Sequence, residues 1–264
     1  MRATVALPLL PRIIADKPLF QARSLNHIAI GVSDLSRSRA FYQKTLGLTE
    51  YREADTNLQL GPIGKSFIGL TKNGKAGTID HACFGIDGYE LNAVVDKLKR
   101  AGLNPEVRTG QLYFRDPDGA QLQLDSVNYT GSAPEMKSPR KETSAIFQAR
   151  NFSHIQIGVT DMKRSRDFYQ NMLGLSLLKE EPPNTVLMTI DGYQFLSLSN
   201  ASNQKPGNID HFCVSVDGFT TDSALAALKR SAPELKATQA RNEFVFFNDP
   251  DGTRVQLANN EYKG

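Results

Sequence analysis

The sequence lacks several features that would assign a protein to a class at once. It has no tryptophan, 2 cysteines and 4 histidines among 264 residues. Two cysteines cannot form the disulfide framework of a small secreted domain, and no apolar run approaches the roughly 18–20 residues of a membrane helix. The 31 basic and 28 acidic side chains nearly balance, and no basic cluster with interleaved aromatics predicts a nucleic-acid surface. We therefore expect a globular protein with neither a membrane span nor a nucleic-acid partner.

The beginning of the chain differs in composition from the rest. Residues 1–15 are mostly apolar, with Arg2 near the start, which is typical of the tail of an export signal. The alternative is that residues 1–23 form an apolar arm packed on the body of the protein. The first interpretation predicts a periplasmic or exported protein and the second a cytoplasmic one, and the sequence leaves both open.

The chain is an internal duplication. Short motifs recur in the same order in both halves: Phe-Gln-Ala-Arg at 20–23 and 147–150, Asp-His at 80–81 and 210–211, and Asp-Pro-Asp-Gly at 116–119 and 249–252. The distance between the copies changes by only a few residues along the chain. We predict a first module over residues 24–126, a polar linker over 127–150 and a second module over 151–264.

Each copy follows one plan twice, which is a strand, a helix and three further strands. Residues 25–32 alternate as a half-buried strand does, and Asp34 and Gly47 bracket a helix that ends at Leu46. The same signals predict a helix that ends near Arg100 and helices near 161–173 and 221–230. The Asp-Pro-Asp-Gly motifs predict tight turns before the last strand of each copy.

This order of elements, with a His on the first strand, Asp-His on the fifth and Asp-Pro-Asp-Gly before the last, resembles the vicinal oxygen chelate superfamily. That family includes glyoxalase I, extradiol ring-cleaving dioxygenases, and bleomycin- and fosfomycin-resistance proteins. The resemblance covers about residues 24–126 and 151–259. It implies an α+β fold of tandem duplicated modules, in which paired βαβββ units form a curved mixed sheet around a cup. Fold alone does not assign the reaction.

All four histidines occupy duplicated strand positions. Alternation places Ile28 and Ile30 on the helix-covered face of the first strand and His27 on the opposite face. By the same alternation, His81 and Gln123 face the cup of the first module. The equivalent residues of the second module are His154, His211 and Gln256.

The resemblance implies that these residues bind a divalent metal ion. Metal-dependent members use His, His and Glu on the first, fifth and eighth strands, and this chain has Gln123 and Gln256 where Glu is expected. Gln keeps an oxygen donor and loses the negative charge, which predicts weaker metal affinity and a preference for an anionic ligand. The implied ion is Fe(II), Mn(II), Ni(II) or Zn(II). Asp125, two residues further along the eighth strand, is an alternative carboxylate in the first module.

Residues beside the histidines bear on the reaction. Glyoxalase I has a further carboxylate on its fourth strand, where this chain has Gly69 and Ser197, and this argues against that activity. Extradiol dioxygenases place a catalytic Tyr four residues before the Pro of the last turn, a position held by Tyr113 in the first copy and Phe246 in the second. With no other histidine in the chain, proton transfer falls to Tyr113, Cys83 or a bound water.

These patterns predict a divalent-metal-dependent enzyme that chelates vicinal oxygens of a small substrate. The predicted chemistry is dioxygenase-like, or that of a lyase or isomerase, and Tyr113 favours the first module as its place. A non-catalytic binding or sequestration protein of the bleomycin-resistance type is the alternative, and copper or zinc storage on the four histidines is a third. The predicted partner is a small molecule with vicinal oxygens, and a homodimer is left open.

Overall fold

The computed structural model describes residues 17–141, 144–182, 184–201, 205–260 and 262. The export signal predicted over residues 1–15 lies outside the described residues, as do residues 1–16 of the alternative arm predicted over 1–23. Among the helices of the described ranges, none is long and apolar enough to cross a membrane. The fold is α+β, with two modules that repeat one arrangement of strands and helices.

Module 1 contains eight strands and two helices in the predicted order. They are β1 (Ala22–Gly31), α1 (Leu35–Leu46), β2 (Thr49–Ala54), β3 (Asn57–Ile63), β4 (Ser66–Thr71), β5 (Thr78–Ile86), α2 (Leu91–Arg100), β6 (Glu106–Arg108), β7 (Gln111–Arg115) and β8 (Gln121–Ser126). The predicted caps of α1 are confirmed. The Asp34 side chain accepts a hydrogen bond from the Arg37 backbone N–H, and Gly47 has a φ of 68°, which favours glycine.

Module 2 repeats this plan after one connecting strand, β9 (Glu135–Lys141). Its elements are β10 (Ala149–Val159), α3 (Met162–Leu173), β11 (Ser176–Glu181), β12 (Thr185–Thr189), β13 (Phe195–Asn200), β14 (Ile209–Val216), α4 (Thr221–Ser231), β15 (Thr238–Ala240), β16 (Phe244–Asn248) and β17 (Arg254–Asn259). The predicted helices therefore exist in both modules, within a residue or two of the expected bounds.

The strands of each module form one curved mixed sheet. In module 1, β1 pairs in parallel with β4 and antiparallel with β5, so that it joins the two βαβββ units. The spatial order is β2, β3, β4, β1, β5, β8, β7 and β6. Module 2 has the matching order, and its sheet is joined to that of module 1 by the pairing of Ile79 with Ile209.

The predicted alternation along the strands is confirmed by which residues belong to the hydrophobic core. Ile28 and Ile30 on β1 and Leu122 and Leu124 on β8 are fully buried in the hydrophobic core beneath the helices. The neighbouring residue His27 is absent from that core and lines a cleft on the other face of the sheet. The sheet thus separates an apolar core from a polar cleft.

The connection between the modules contains a strand that the polar composition did not predict. β9 pairs antiparallel with β2, with Arg140 opposite Glu50. The Glu50 carboxylate is fully buried and contacts both Arg39, at 2.9 Å, and Arg140, at 3.5 Å. These two guanidinium groups compensate a carboxylate that would be costly to bury alone.

The two Asp-Pro-Asp-Gly turns fasten each module to the helix of the other. Asp118 of module 1 accepts hydrogen bonds from the Thr160 hydroxyl, at 2.5 Å, and from Arg164, at 2.7 Å, next to the N-terminus of α3. The Tyr169 hydroxyl of the same helix donates to the buried Asp116. A carboxylate near a helix N-terminus interacts favourably with the helix dipole.

The reciprocal contacts are present on α1. Asp251 of module 2 accepts hydrogen bonds from Ser33, at 2.5 Å, and Arg37, at 2.7 Å, and Tyr42 donates to Asp249 at 2.9 Å. The predicted turns are therefore confirmed, and their carboxylates serve the contact between modules. We call this pair of reciprocal contacts the cross-module clasps.

Candidate functional site

Two histidines meet on adjacent strands in each module. In module 1, His27 on β1 and His81 on β5 have their Nε2 atoms 3.4 Å apart. In module 2, His154 and His211 have their Nε2 atoms 3.3 Å apart. All four residues are nearly buried, with exposed fractions of 3–7%. The structure thus brings the predicted histidines together in two equivalent pairs.

The other ring nitrogen of each histidine contacts an oxygen of the preceding residue. Nδ1 of His81 lies 2.8 Å from the Asp80 carboxylate, and Nδ1 of His27 lies 2.9 Å from the side-chain oxygen of Asn26. The corresponding partners in module 2 are Asp210 for His211, at 2.7 Å, and Ser153 for His154, at 3.2 Å. A carboxylate or amide oxygen at Nδ1 favours the tautomer with the proton there, which leaves the Nε2 lone pair free to bind a metal.

The spacing of the Nε2 atoms fits a shared divalent ion. Two nitrogens that each lie about 2.1 Å from one ion, at an angle between a right angle and a tetrahedral one, are separated by about 3.0–3.4 Å. Burial, and secondly the nearby His81, hold the pKa of His27 well below its ordinary value. Burial and His211 act in the same way on His154. Neutral imidazoles are the form that binds metal.

Gln123 supplies a third donor beside the first pair. Its side chain is fully buried and lies against His27. Its amide nitrogen donates to Asp125 over 3.2 Å, whereas its Oε1 atom is buried without a hydrogen-bond partner. A buried oxygen without a partner is costly, and a bound cation would satisfy it. The donor set of His27, His81 and Gln123 therefore fits a divalent ion.

Asp125 does not belong to a three-ligand cluster of its own. In the described part of the chain, no group of three or more His, Cys, Asp or Glu side chains is arranged to hold a metal ion. Asp125 instead accepts the Gln123 amide and the Ser126 backbone N–H. Its role in the structure is to fix the orientation of the Gln123 amide, so that the oxygen faces away from the carboxylate.

Aromatic rings that were not predicted from the sequence cover the histidines. The rings of His27 and Phe67 stack with centroids 4.5 Å apart, and Tyr129 lies 5.6 Å from His27. His154 has the same neighbours in Phe195 and Tyr262, at 4.5 and 6.0 Å. A signal was available, because Tyr129 and Tyr262 are spaced like the two Asp-Pro-Asp-Gly turns and extend the repeat beyond its last strand.

Tyr113 lies at the rim of the first histidine pair. Its ring packs edge-on against His81, with centroids 5.1 Å apart, and its hydroxyl donates to the Gln111 side chain at 2.7 Å. Burial is the main cause that raises the pKa of Tyr113 to about 12. Tyr113 therefore keeps its proton near neutral pH. The equivalent Phe246 packs in the same way on His211, at 5.4 Å, without a hydroxyl.

The two cysteines are set apart from the clefts. Cys83 and Cys213 are free thiols with fully buried side chains, and neither lines a cleft. Burial, and to a smaller extent Asp125, raises the pKa of Cys83 well above its ordinary value. A buried, protonated thiol is a poor proton carrier, so that the structure removes Cys83 from the candidates for proton transfer.

Each histidine pair opens into a cleft, and the two clefts have different floors. The module 1 cleft has a volume of about 290 Å³ and that of module 2 about 240 Å³. In module 1 the paired floor residues are Ala29 and Gly69, whereas in module 2 they are Gln156 and Ser197. The Ser197 hydroxyl donates to the Gln156 side chain at 3.3 Å, so that polar side chains occupy space that is open in module 1.

A family model matches the chain over both modules. It is described as the Glyoxalase/Bleomycin resistance protein/Dioxygenase superfamily, and it matches residues 24–124 and 151–257. These ranges contain all four histidines and both glutamines of the two sites.

Individual proteins are similar to the chain at sequence identities of about one fifth. Glyoxalase I of Saccharomyces cerevisiae is 21% identical over 88% of this chain and 91% of its own length. An extradiol ring-cleaving dioxygenase from B. fuscum superimposes with a TM-score of 0.71 and 17% identity, over 96% of this chain and 75% of that chain. A Mn(II)-bound glyoxalase from Novosphingobium aromaticivorans has a TM-score of 0.69 and 16% identity, over 92% and 84% of the two chains. Structural likeness at such identity shows a shared fold.

Proposed function

The chain belongs to the Glyoxalase/Bleomycin resistance protein/Dioxygenase superfamily, and on this premise we propose that it is a divalent-metal-dependent enzyme acting on vicinal oxygens of a small substrate. The observation that carries the proposal is the pair of Nε2 atoms 3.4 Å apart in module 1 with the unpartnered Oε1 of Gln123 beside them. Relatives described as a glyoxalase, an extradiol dioxygenase and a Mn(II)-bound glyoxalase support it.

The residues that would hold the ion are His27, His81 and Gln123 in module 1, and His154, His211 and Gln256 in module 2. A divalent ion bound there, which we propose to be Fe(II), Mn(II), Ni(II) or Zn(II), would supply a Lewis acid that polarises substrate oxygens. The protein contributes orientation, because the Asp80 carboxylate at 2.8 Å fixes the ring of His81. Phe67 and Tyr129 limit the access of water to His27.

We assign the proton donor of the reaction to Tyr113. Its raised pKa keeps the hydroxyl protonated, and its ring touches His81, so that the group lies within the same cleft. A positioned donor stabilises negative charge that develops on a substrate oxygen. Because module 2 has Phe246 at this position, we place dioxygenase-like, lyase or isomerase chemistry in module 1.

Sequestration of a small molecule without turnover is the second candidate. The observation in its favour is the neutral amide at both positions where the superfamily's metal-dependent members have a carboxylate. A protein that only traps a ligand should bind it equally well with and without a divalent ion. An enzyme of the proposed kind should lose turnover when the ion is removed and in His27→Ala.

Metal content tests the proposal directly. The full chain, purified without chelator, is dialysed against Mn(II), Fe(II), Ni(II) or Zn(II) and measured by elemental analysis, beside His27→Ala, His154→Ala and the double variant. We expect one or two ions per chain in the parent protein. Each single variant should lose the ion of its own module, if that module binds one, and the double variant should bind none. Each single variant is the matched control for the other. Absence of bound metal at every ion offered would contradict the metalloenzyme.

A further inference from the structure

The mouths of the two clefts differ in how their arginines are neutralised. In module 2, the hairpin between β15 and β16 carries Arg241, which contacts Glu181 at the end of β11 at 2.7 Å. Arg254, at the start of β17, contacts Asp210 at 2.9 Å and stacks over the Phe246 ring at 4.0 Å. Both arginines at this mouth are therefore paired with a carboxylate of module 2.

In module 1, the equivalent hairpin between β6 and β7 carries Arg108. Its guanidinium stacks over the Tyr113 ring at 4.1 Å and donates to the side-chain oxygen of Gln121 at 2.9 Å. Its carboxylate contact is a long one, 3.7 Å to Glu106, and both side chains are at least half exposed to solvent. An exposed pair at this distance neutralises little charge. The residue that corresponds to Glu181, at the end of β2, is Ala54.

The floor of the module 1 cleft has room for a ligand below Arg108. A Cβ atom placed on Gly69 would meet the Ile28 carbonyl oxygen at 3.7 Å, which is ordinary van der Waals contact. Its partner on β1 is Ala29, so that neither floor residue projects a polar side chain. The corresponding space in module 2 contains the hydrogen-bonded pair of Gln156 and Ser197.

From these differences we infer that the module 1 cleft binds a small organic anion whose carboxylate pairs with Arg108 while its vicinal oxygens face His27 and His81. The module 2 cleft, which is neutralised by its own carboxylates, does not take this ligand. The inference rests on the proposed function and adds the substrate class and the module. A dication held by two imidazoles and one amide keeps its full charge, and Arg108 adds another. The Asp80 carboxylate, which also lines this cleft, offsets only part of that charge, so the sum still favours an anion.

Two probes that differ only in a carboxylate test the inference. We would titrate the Mn(II)-loaded full chain with 3,4-dihydroxybenzoate and with catechol by calorimetry. Because Arg108 is half exposed to solvent, an ion pair with it predicts that 3,4-dihydroxybenzoate binds about two- to fivefold more tightly than catechol. One equivalent per chain is expected, and His27→Ala should remove it while His154→Ala should not.

Matched variants assign the preference to one arginine. Arg108→Gln should bring the affinity for 3,4-dihydroxybenzoate down to that for catechol. Arg241→Gln removes the corresponding charge from module 2 and should leave both affinities unchanged.

The outcomes separate this inference from the proposed function. A carboxylate preference that survives Arg108→Gln, or one that Arg241→Gln abolishes, overturns the inference. The titrations are repeated with metal-free protein, because a charge pair with Arg108 does not need the ion. If Mn(II) fails to bind and the Arg108-dependent preference persists, the metal proposal fails and the anion site stands. If Mn(II) binds and neither preparation prefers the carboxylate, the anion site fails alone.

Discussion

Replacing Gln123 with Glu, the residue that the family resemblance leads us to expect at this position, should first weaken the fold. The Gln123 amide nitrogen donates to Asp125 over 3.2 Å, and both side chains are buried. A glutamate would place a carboxylate oxygen where this nitrogen stands. Two carboxylates would then face each other at hydrogen-bond distance in the interior.

The expected loss of stability follows from the distance between the two carboxylates. Two like charges 3.2 Å apart repel by about 5 kcal/mol at an effective dielectric constant of about 20. The repulsion is avoided if one of the two carboxyls takes up a proton. For a carboxyl with an ordinary pKa of about 3.9, this costs about 1.36 kcal/mol for each pH unit above the pKa, or about 4 kcal/mol at pH 7. Burial already raises the pKa of Asp125. We therefore expect Gln123→Glu to lower the free energy of unfolding by about 2–4 kcal/mol.

Module 2 provides the matched control. The residue two positions after Gln256 is Ala258, so that Gln256→Glu brings no carboxylate against another on this strand. Gln256→Glu should cost much less stability than Gln123→Glu, and Gln123→Glu with Asp125→Asn should recover the loss. Urea denaturation of the metal-free variants measures these differences, and calorimetry with Mn(II) should show a larger gain in affinity for Gln256→Glu. Equal stability of Gln123→Glu and the parent protein would show that the two carboxylates do not repel each other in the interior.

Three further predictions concern the clasps and the cleft. Tyr42→Phe removes a 2.9 Å hydrogen bond to the buried Asp249 and should lower the free energy of unfolding in urea by about 1.5–3 kcal/mol; an unchanged midpoint would contradict this. Burial raises the pKa of Asp118, but hydrogen bonds from module 2 outweigh burial and lower the pKa overall, so its stabilisation is present above about pH 4 and is lost as the pH falls through the lowered pKa. Asp118→Asn should therefore flatten the loss of thermal stability between about pH 5 and pH 2, and an unaltered slope would count against the clasp. Tyr113→Phe should lower kcat by about 100-fold with bound metal unchanged. Unchanged turnover in Tyr113→Phe, or altered turnover in Phe246→Tyr, would place the proton donor elsewhere.

Local sequence signals predicted the modules well because they act over short distances. Asp34 and Gly47 cap α1 through contacts with residues three or four positions away, and alternation alone placed Ile28 in the core. The strand β9 was missed for the opposite reason. Its seven residues include a proline and four charged side chains, and it is held by pairing with β2, some ninety residues earlier in the chain, as the contact of Arg140 with Glu50 illustrates.

The candidate site likewise contains features that local sequence signals predict and features that they do not. Strand alternation and the duplication predicted the histidine pairs, and the resemblance supplied their role. The same alternation aimed Asp125 at the cup, but the structure uses its carboxylate to hold Gln123. The difference between Arg108 and Arg241 depends on the partner that each meets across the cleft. Such pairing is set by the meeting of distant strands and leaves no periodic signal in the sequence.

The cross-module clasps have a consequence for how this chain can change. Each clasp repeats the other, as in an isologous interface of a symmetric dimer, where one patch on each subunit meets the same patch on its partner. In such a dimer every substitution would occur in both copies at once. Here the two copies lie on one chain, so that Gly69 and Ser197, or Ala54 and Glu181, differ while the clasps at Asp118 and Asp251 stay alike. Because the two copies are joined in one chain, the residues of the two clefts can differ while the residues at the interface between the modules stay alike.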